Sequence, residues 1–162
     1  MSKSKISKKM VMNKNTRTRK NNNPVKSKSN SKLLENFEKE ITVKFFEMLL
    51  LIKLFHWKTY SYATHKATDD LYSKFNQNMD HFIEVLLGKT GLRIDLINKK
   101  TIALYDLNNK TQLINKINSF KNYLVGLNNN KAMKLMSNVD LLTIRDEILA
   151  DTNQFLYLLS FN

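Results

Sequence analysis

Apolar residues recur at three- and four-residue steps along most of the chain after Leu33, and this period restricts the fold more than any other feature. The stretch from Leu33 to Lys58 is the clearest case, and its second half is so apolar that more than one face of a helix must be covered. The whole chain has three glycines and one proline, so it has few of the residues that form the tight turns between strands. The sequence therefore predicts an all-α fold.

The period divides the chain into four helices separated by polar connections. These are predicted at residues 33–58, 63–87, 111–127 and 140–161. Ser61 and Asp140 have side chains typical of N-caps, and Gly88 is typical of a residue that ends a helix. Residues 92–97 could form a short helix within the long connection after Gly88. Four helices with one long central connection favour a ferritin-like four-helix bundle over residues 33–162.

The net charge of +13 is concentrated at the start of the chain. Residues 1–32 hold eleven Lys or Arg and no Asp or Glu, whereas the remainder holds 16 basic and 14 acidic residues. Low hydrophobicity with high charge predicts a disordered basic tail. Such a tail displaces counterions from nucleic-acid phosphates without reading sequence, although a localisation signal, an RNA tether or a solubilising arm would look the same. The candidate nucleic-acid-binding residues are Lys8, Lys9, Lys14, Arg17, Arg19, Lys20, Lys26 and Lys28.

Several classes of protein are disfavoured by the composition. No apolar run has the ~18 residues that a membrane span requires, and no apolar signal-peptide core follows the basic start. We therefore expect an intracellular protein that is not secreted and has no membrane partner. The chain has no cysteine, which excludes disulfides and thiolate metal sites. It contains no glycine-rich phosphate loop, nucleophile motif or zinc-finger spacing.

Histidines and carboxylates are spaced along the second predicted helix as metal ligands would be. His65 and Asp69 are four residues apart, so their side chains lie on one helix face, and Asp80 and Glu84 repeat that relation near the other end. His56 lies at the end of the first helix, just before the connection. Imidazole and carboxylate together are the ligands of iron, zinc or manganese.

The length of the second helix decides how these ligands can be used. His65 and Glu84 are 19 residues apart, which is roughly 28 Å along a helix axis at ~1.5 Å per residue. A metal–ligand distance is about 2 Å, so the two ends cannot share an ion within one chain. They can share one if the second helices of two chains lie antiparallel across a two-fold axis. Read as a metal site, the pattern predicts a homodimer.

The candidate ligands, with two neighbouring aromatic residues, resemble the motif of Dps-type mini-ferritins. The matching positions are His56, Trp57, His65, Asp69, Tyr72, Asp80 and Glu84. The resemblance covers residues 34–90 well and extends more loosely to residues 141–161. It implies a ferroxidase site between two subunits, with the histidines and the first aspartate from one chain and the last two carboxylates from the other. It also implies that an aromatic residue beside the iron can quench oxidising intermediates.

The turn between the first two helices departs from the family pattern. His56 and His65 are three residues closer than in typical Dps proteins, and residues 58–61 stand where the family usually has Gly-Pro. Because the position of His56 depends on that turn, His56 is the ligand that the resemblance supports least. The short turn is similar to that of a ferritin-like family in large DNA viruses and phages, which implies a viral protein that is packaged in a virion.

Each candidate ligand also has an ordinary structural explanation. His56 lies among apolar residues and could be a core histidine with a satisfied hydrogen bond. His65 and Asp69 could form a pair near a helix start, where an acidic residue interacts favourably with the helix dipole. Asp80 and Glu84 could be solvated, with a neighbouring histidine or lysine offsetting their mutual repulsion. Trp57 and Tyr72 could be core residues.

The sequence therefore predicts a Dps-like protein that binds iron between subunits, oxidises Fe(II) with an oxidant such as hydrogen peroxide, and contacts nucleic acid through its tail. Zinc and manganese are the alternative metals. The family usually closes into a twelve-subunit cage, whereas the ligand geometry requires only a dimer. In the alternative, the protein has the same fold but binds no metal. It is then a non-enzymatic nucleic-acid packaging or structural protein.

Overall fold

The computed structural model describes residues 24–99 and 101–161, in which four long helices form a bundle. The helices are α1 (Pro24–Lys58), α2 (Tyr62–Thr90), α3 (Lys110–Gly126) and α4 (Val139–Leu158). Two 3-10 turns, Leu127–Asn129 and Met133–Leu135, connect α3 to α4. Those residues contain no strand, so the predicted all-α four-helix bundle with a long connection after the second helix is confirmed. None of the four helices is long and apolar enough to cross a membrane.

An aromatic cluster lies at the centre of the bundle. The Phe45 ring is fully buried and meets the rings of Phe75, Phe82 and Phe120 at centroid distances of 5.8, 5.4 and 6.2 Å. All three contacts are edge-on, the arrangement that the ring quadrupoles favour. The cluster joins α1, α2 and α3, and the buried Ile148 on α4 belongs to the same core. This core fixes α1 beside α2 and therefore positions the candidate ligands.

Polar side chains connect α2 to α4 on the side of α2 that faces α4. Asn78 donates to the Asp151 carboxylate at 3.1 Å, and Lys74 lies 3.7 Å from the same group. Lys89 and Asp140 form a second ion pair at 2.7 Å, near the end of α2 and the start of α4. The hydrogen bond from Lys89 lowers the pKa of Asp140 below its ordinary value. These contacts align α2 and α4 antiparallel.

The buried Arg145 fastens α4 to the end of α3. Its guanidinium donates to the carbonyl of Leu124 at 2.9 Å and to the side-chain oxygen of Asn128 at 3.0 Å. Carbonyl groups at a helix C-terminus lack intrahelical partners, and the helix dipole favours a cation there. Arg145 therefore satisfies the end of α3 from inside the bundle.

Helix α1 begins earlier than the sequence predicts, at Pro24 instead of Leu33. Proline is favoured at the first helical position because its φ is already helical and its missing N–H is not needed there. The predicted boundary after residue 32 thus lies inside α1, where Lys28 is exposed to solvent. Residues 1–23, with the candidate nucleic-acid-binding residues up to Lys20, lie outside the described part of the chain.

The two ends of α2 test two different local predictions. Ser61 is the N-cap, as predicted, and its hydroxyl accepts from the Thr64 N–H at 3.3 Å. The predicted end at Gly88 is wrong, because the helix continues to Thr90 and the left-handed Gly91, with φ of 69°, follows it. A glycine can remain helical, and only the one that adopts positive φ provides the C-terminal cap.

Two further local predictions are wrong. Asp140 is not the N-cap of α4, because the helix begins at Val139 and the preceding Asn138 makes no capping bond with its side chain. Asp140 instead lies in the first turn, where its carboxylate accepts from the Leu141 N–H. Residues 92–97 form no helix.

Candidate metal centre

His56 is buried, with 7% of its surface exposed, whereas the other four candidate ligands lie on an outer face formed by α1 and α2 together. We call this the α1–α2 face, and it comprises Phe46, Leu50, Lys53 and Trp57 on α1 with His65, Asp69, Tyr72, Asp80, Ile83 and Glu84 on α2. The Lys53 ammonium connects the two helices, because it lies 4.5 Å from the centroid of the Tyr72 ring and 5.7 Å from that of Trp57. The cation thus holds the aromatic residues of both helices on one surface.

His56 and His65 meet where α1 ends and α2 begins. Their imidazole rings are stacked, with centroids 3.9 Å apart and an interplanar angle of 25°. The Nδ1 atom of His56 lies 3.1 Å from the carbonyl oxygen of His65, and the Nδ1 atom of His65 lies 3.1 Å from the carbonyl oxygen of His56. Each ring is therefore anchored to the backbone of the other histidine.

These bonds determine which ring nitrogen carries the proton. A carbonyl oxygen only accepts, so Nδ1 of both His56 and His65 must be the donor. The Thr68 hydroxyl donates to carbonyls of its own helix at 2.9 Å, which leaves its oxygen to accept from His56 Nδ1 at 3.2 Å. In a neutral imidazole anchored through Nδ1–H, Nε2 presents the lone pair. The arrangement suits metal ligands and also suits structural histidines.

The short turn does not displace His56 from His65. Only residues 59–61 separate α1 from α2, and Thr59 N donates to the Phe55 carbonyl at 3.0 Å, which continues the hydrogen-bonding pattern of α1 to its last turn. Ser61 then begins α2 at once. The nine-residue interval between the histidines is thus spanned by a tight connection that brings their rings together.

The three carboxylates lie at increasing distances from the histidine pair. Asp69 is half-buried one turn beyond His65, whereas Asp80 and Glu84 are exposed near the far end of α2. His65 and Glu84 are separated by roughly 28 Å along α2, as expected for an unbroken helix. Among the described residues of one chain, no three histidine or acidic side chains come together as a group able to hold a metal.

The spacing of the ligands is symmetric about one point on α2. The His65–Glu84 pair and the Asp69–Asp80 pair have the same midpoint, between residues 74 and 75. A two-fold axis at that level would relate two antiparallel copies of α2 so that both pairs met in the same register. Four ligands on one helix thus fit a single two-fold arrangement.

Small side chains lie where the two copies of α2 would cross. Ser73 and Asn76 share the same midpoint and are exposed, so each would face the other across the axis. Short polar side chains allow two helices to approach closely. The neighbouring Lys74 does not obstruct this face, since it is engaged with Asp70 and Asp151.

Some features of the site could not be read from the sequence. Thr68 of α2 is buried, and its hydroxyl lies within hydrogen-bonding distance of His56 Nδ1. The only indication of this in the sequence is its position three residues after His65. Trp57 is 67% exposed and Tyr72 is half-buried, so the alternative of two core residues fails for Trp57. His56, the ligand that the resemblance supported least, is paired with His65.

Comparison with known proteins gives one match. Residues 56–159 match the model of a family described as "Family of unknown function (DUF5856)". No curated protein and no solved structure matches the chain. The matched region begins at His56, includes every candidate metal ligand and continues through α4. Because this region is well over half of the chain, the protein belongs to the DUF5856 family, whose function is unknown.

Proposed function

We propose that the protein is a Dps-like ferritin-fold protein that binds Fe(II) between two copies of the chain and promotes its oxidation. The observation that carries the proposal is the anchoring of His56 and His65. Metal-binding histidines almost always donate their second ring nitrogen to a carbonyl or carboxylate, and both histidines do so here at 3.1 Å. The anchoring leaves Nε2 of each ring as the nitrogen available to a metal, and Asp69 lies one turn beyond His65 on the same helix face.

The partner chain supplies the rest of the site. In the antiparallel register, Asp80 and Glu84 of the second copy lie opposite His65 and Asp69 of the first. Two carboxylates four residues apart on a helix repel each other unless a cation lies between them, and a bound metal ion is such a cation. Imidazole and carboxylate are ligands for iron, with zinc and manganese as alternatives.

The protein contributes binding and orientation to the proposed reaction. Iron supplies the redox chemistry, and an oxidant such as hydrogen peroxide accepts the electrons. The two-fold register gives two equivalent sites per dimer. Their centres, at the levels of residues 67 and 82 on α2, are roughly 22 Å apart at ~1.5 Å per residue. Each site takes ligands from both chains, so a single chain supplies only part of the ligand set.

Anaerobic Fe(II) titration tests the metal site directly. We expect saturation at two sites per dimer, followed by ferroxidation when hydrogen peroxide is added. His65→Ala and Glu84→Ala should each abolish stoichiometric saturation, because each substitution removes one ligand from both shared sites. Loss of an outer-shell partner that only orients a metal ligand typically costs about 10–100-fold in affinity, so loss of a ligand itself should cost at least as much. The titration is followed by absorbance in the ultraviolet and by size-exclusion chromatography.

Two matched controls separate ligand loss from general damage. His81→Ala removes an exposed histidine of α2 that points about 100° away from Asp80, and Glu147→Ala removes an exposed carboxylate of α4. Both variants should titrate as the unmodified protein does. Saturation that is unchanged in His65→Ala and Glu84→Ala, or a chain that remains monomeric at every concentration, contradicts the shared site.

The basic segment before α1 supports a second part of the proposal, contact with nucleic acid. Residues 1–23 hold eight Lys or Arg and no acidic residue. We expect removal of these residues to weaken DNA binding at least tenfold in a gel shift at low salt and to flatten its salt dependence, because fewer counterions are released. Equal, salt-insensitive DNA binding by the full-length and the truncated protein would contradict a role of residues 1–23 in nucleic-acid binding. DNA binding without iron saturation would favour the non-enzymatic packaging function.

A further inference from the structure

An apolar groove opens on the α1–α2 face at the end distant from the histidines. It has a volume of about 230 Å³ and lies between α1, α2 and the segment that follows α2. Its lining is mostly apolar, with one carboxylate, and comprises Thr42, Phe45, Phe46, Met79, Asp80, Ile83, Ile94 and Leu96. Asp80, a candidate metal ligand, thus forms part of its wall. The described side chains of the same chain leave this groove unfilled.

The opposite end of the face carries an exposed aromatic side chain, Trp57, which lies at the edge of an open groove of about 650 Å³ between the turn after α1 and residues 107–110. Trp57 is 67% exposed and is the only tryptophan of the chain. It directly follows His56, and its contact with Lys53 keeps the indole on the same side as Tyr72. Burying an indole removes a large apolar area from water, so Trp57 would contribute strongly to an interface that covered this end of the face.

The two-fold register brings these features together, and here the argument rests on the proposed function. Within one chain, the levels of Trp57 and Ile83 are more than 25 Å apart along the bundle, at ~1.5 Å per residue. Across the axis, the His56–His65 end of one copy meets the Asp80–Glu84 end of the other. Side chains on a helix lean toward its N-terminus, which directs Trp57 from the end of α1 toward the level of the partner's groove.

We propose that Trp57 of each chain docks in the partner's groove and that this contact sets the register of the shared metal site. A cavity of about 150 Å³ lined by apolar residues accepts benzene, so about 230 Å³ suits the larger indole ring. The contact is made twice, once on each side of the axis, as an isologous interface requires. It places an aromatic ring beside Asp80 and excludes water from that edge of the site.

Tryptophan fluorescence reports on this contact without interference, because no other tryptophan is present. In the metal-free assembled protein, we expect blue-shifted emission and at least a threefold lower acrylamide quenching constant than for the unfolded chain. Ile83→Asp places a charge in the groove, and it should shift the emission to the red and restore quenching. Val125→Asp is the matched control, since Val125 is an exposed apolar residue on α3 and should leave the emission unchanged.

Cross-linking provides a second readout in a chain that has no natural cysteine. A Tyr60→Cys/Ile94→Cys double variant keeps Trp57 and replaces an exposed residue next to it, and it should give covalent dimers with a short bis-maleimide, because the two positions are too distant to react within one chain. Tyr60→Cys/Val125→Cys should not. Circular dichroism of each variant shows whether the helices are retained.

The outcomes separate this inference from the proposed metal site. Solvent-exposed Trp57 emission in an assembled protein, unchanged by Ile83→Asp, overturns the docking even if iron saturates the site. Shielded emission with no iron saturation keeps the docking and overturns the metal function. A chain that is monomeric under all conditions overturns both.

Discussion

Mixing two inactive variants should restore part of the iron binding. His65→Ala and Glu84→Ala chains each form dimers in which both sites lack one ligand. In a mixed dimer, one site lacks both ligands, whereas the other combines the intact His65 of one chain with the intact Glu84 of the other. If chains exchange at random in an equal mixture, half of the dimers are mixed and each has one complete site. We therefore expect about one quarter of the unmodified binding capacity.

The measurement is an anaerobic Fe(II) titration of the two variants, unfolded together and refolded at equal concentrations. A mixture of His65→Ala with Asp69→Ala is the matched control, because both substitutions affect the same end of α2. In its mixed dimers each site lacks one ligand, so no complete site forms. Recovery in the first mixture and none in the second identifies a site built from two chains. Equal behaviour of the two mixtures contradicts the antiparallel register.

Local interactions explain which parts of the fold were predictable. The four helices followed from apolar periodicity, and the start of α2 followed from the hydroxyl of Ser61, which bonds within its own first turn. The end of α2 was not predictable in the same way. Gly88 and Gly91 are both glycines, and no local pattern in the sequence distinguishes Gly91, which adopts positive φ, from Gly88, which stays helical. The start of α1 at Pro24 likewise lies in a segment whose composition indicated a tail.

The same distinction holds for the candidate site. The relations between His65 and Asp69, and between Asp80 and Glu84, are set by helix geometry and could be read from spacing alone. The stacking of His56 on His65 depends on how a three-residue connection folds, and no helical period describes it. The groove was also unpredictable, because the segment after α2 that forms one of its walls shows no period.

The aromatic cluster that holds α1 beside α2 should dominate the stability of the chain. Phe45→Ala removes a fully buried ring that contacts three other phenylalanine rings. Large-to-small substitutions of buried phenylalanine destabilise proteins by about 3–5 kcal/mol, because the lost burial is accompanied by a cavity. Total unfolding free energies are only about 5–15 kcal/mol. We expect the melting temperature to fall by roughly 10 °C, measured by circular dichroism at 222 nm.

Phe161→Ala removes the same atoms from a ring that is 58% exposed and lies beyond the end of α4. Its unfolding free energy should change by less than about 1 kcal/mol, since most of the ring is already in water. Equal destabilisation by the two substitutions would contradict a core centred on Phe45. The consequence extends to the candidate site, because the contacts of Phe45 with α2 hold the two helices that carry His56 and His65. Loosening that contact should weaken Fe(II) binding in Phe45→Ala at temperatures where the chain is still folded, and Phe161→Ala should bind as the unmodified protein does.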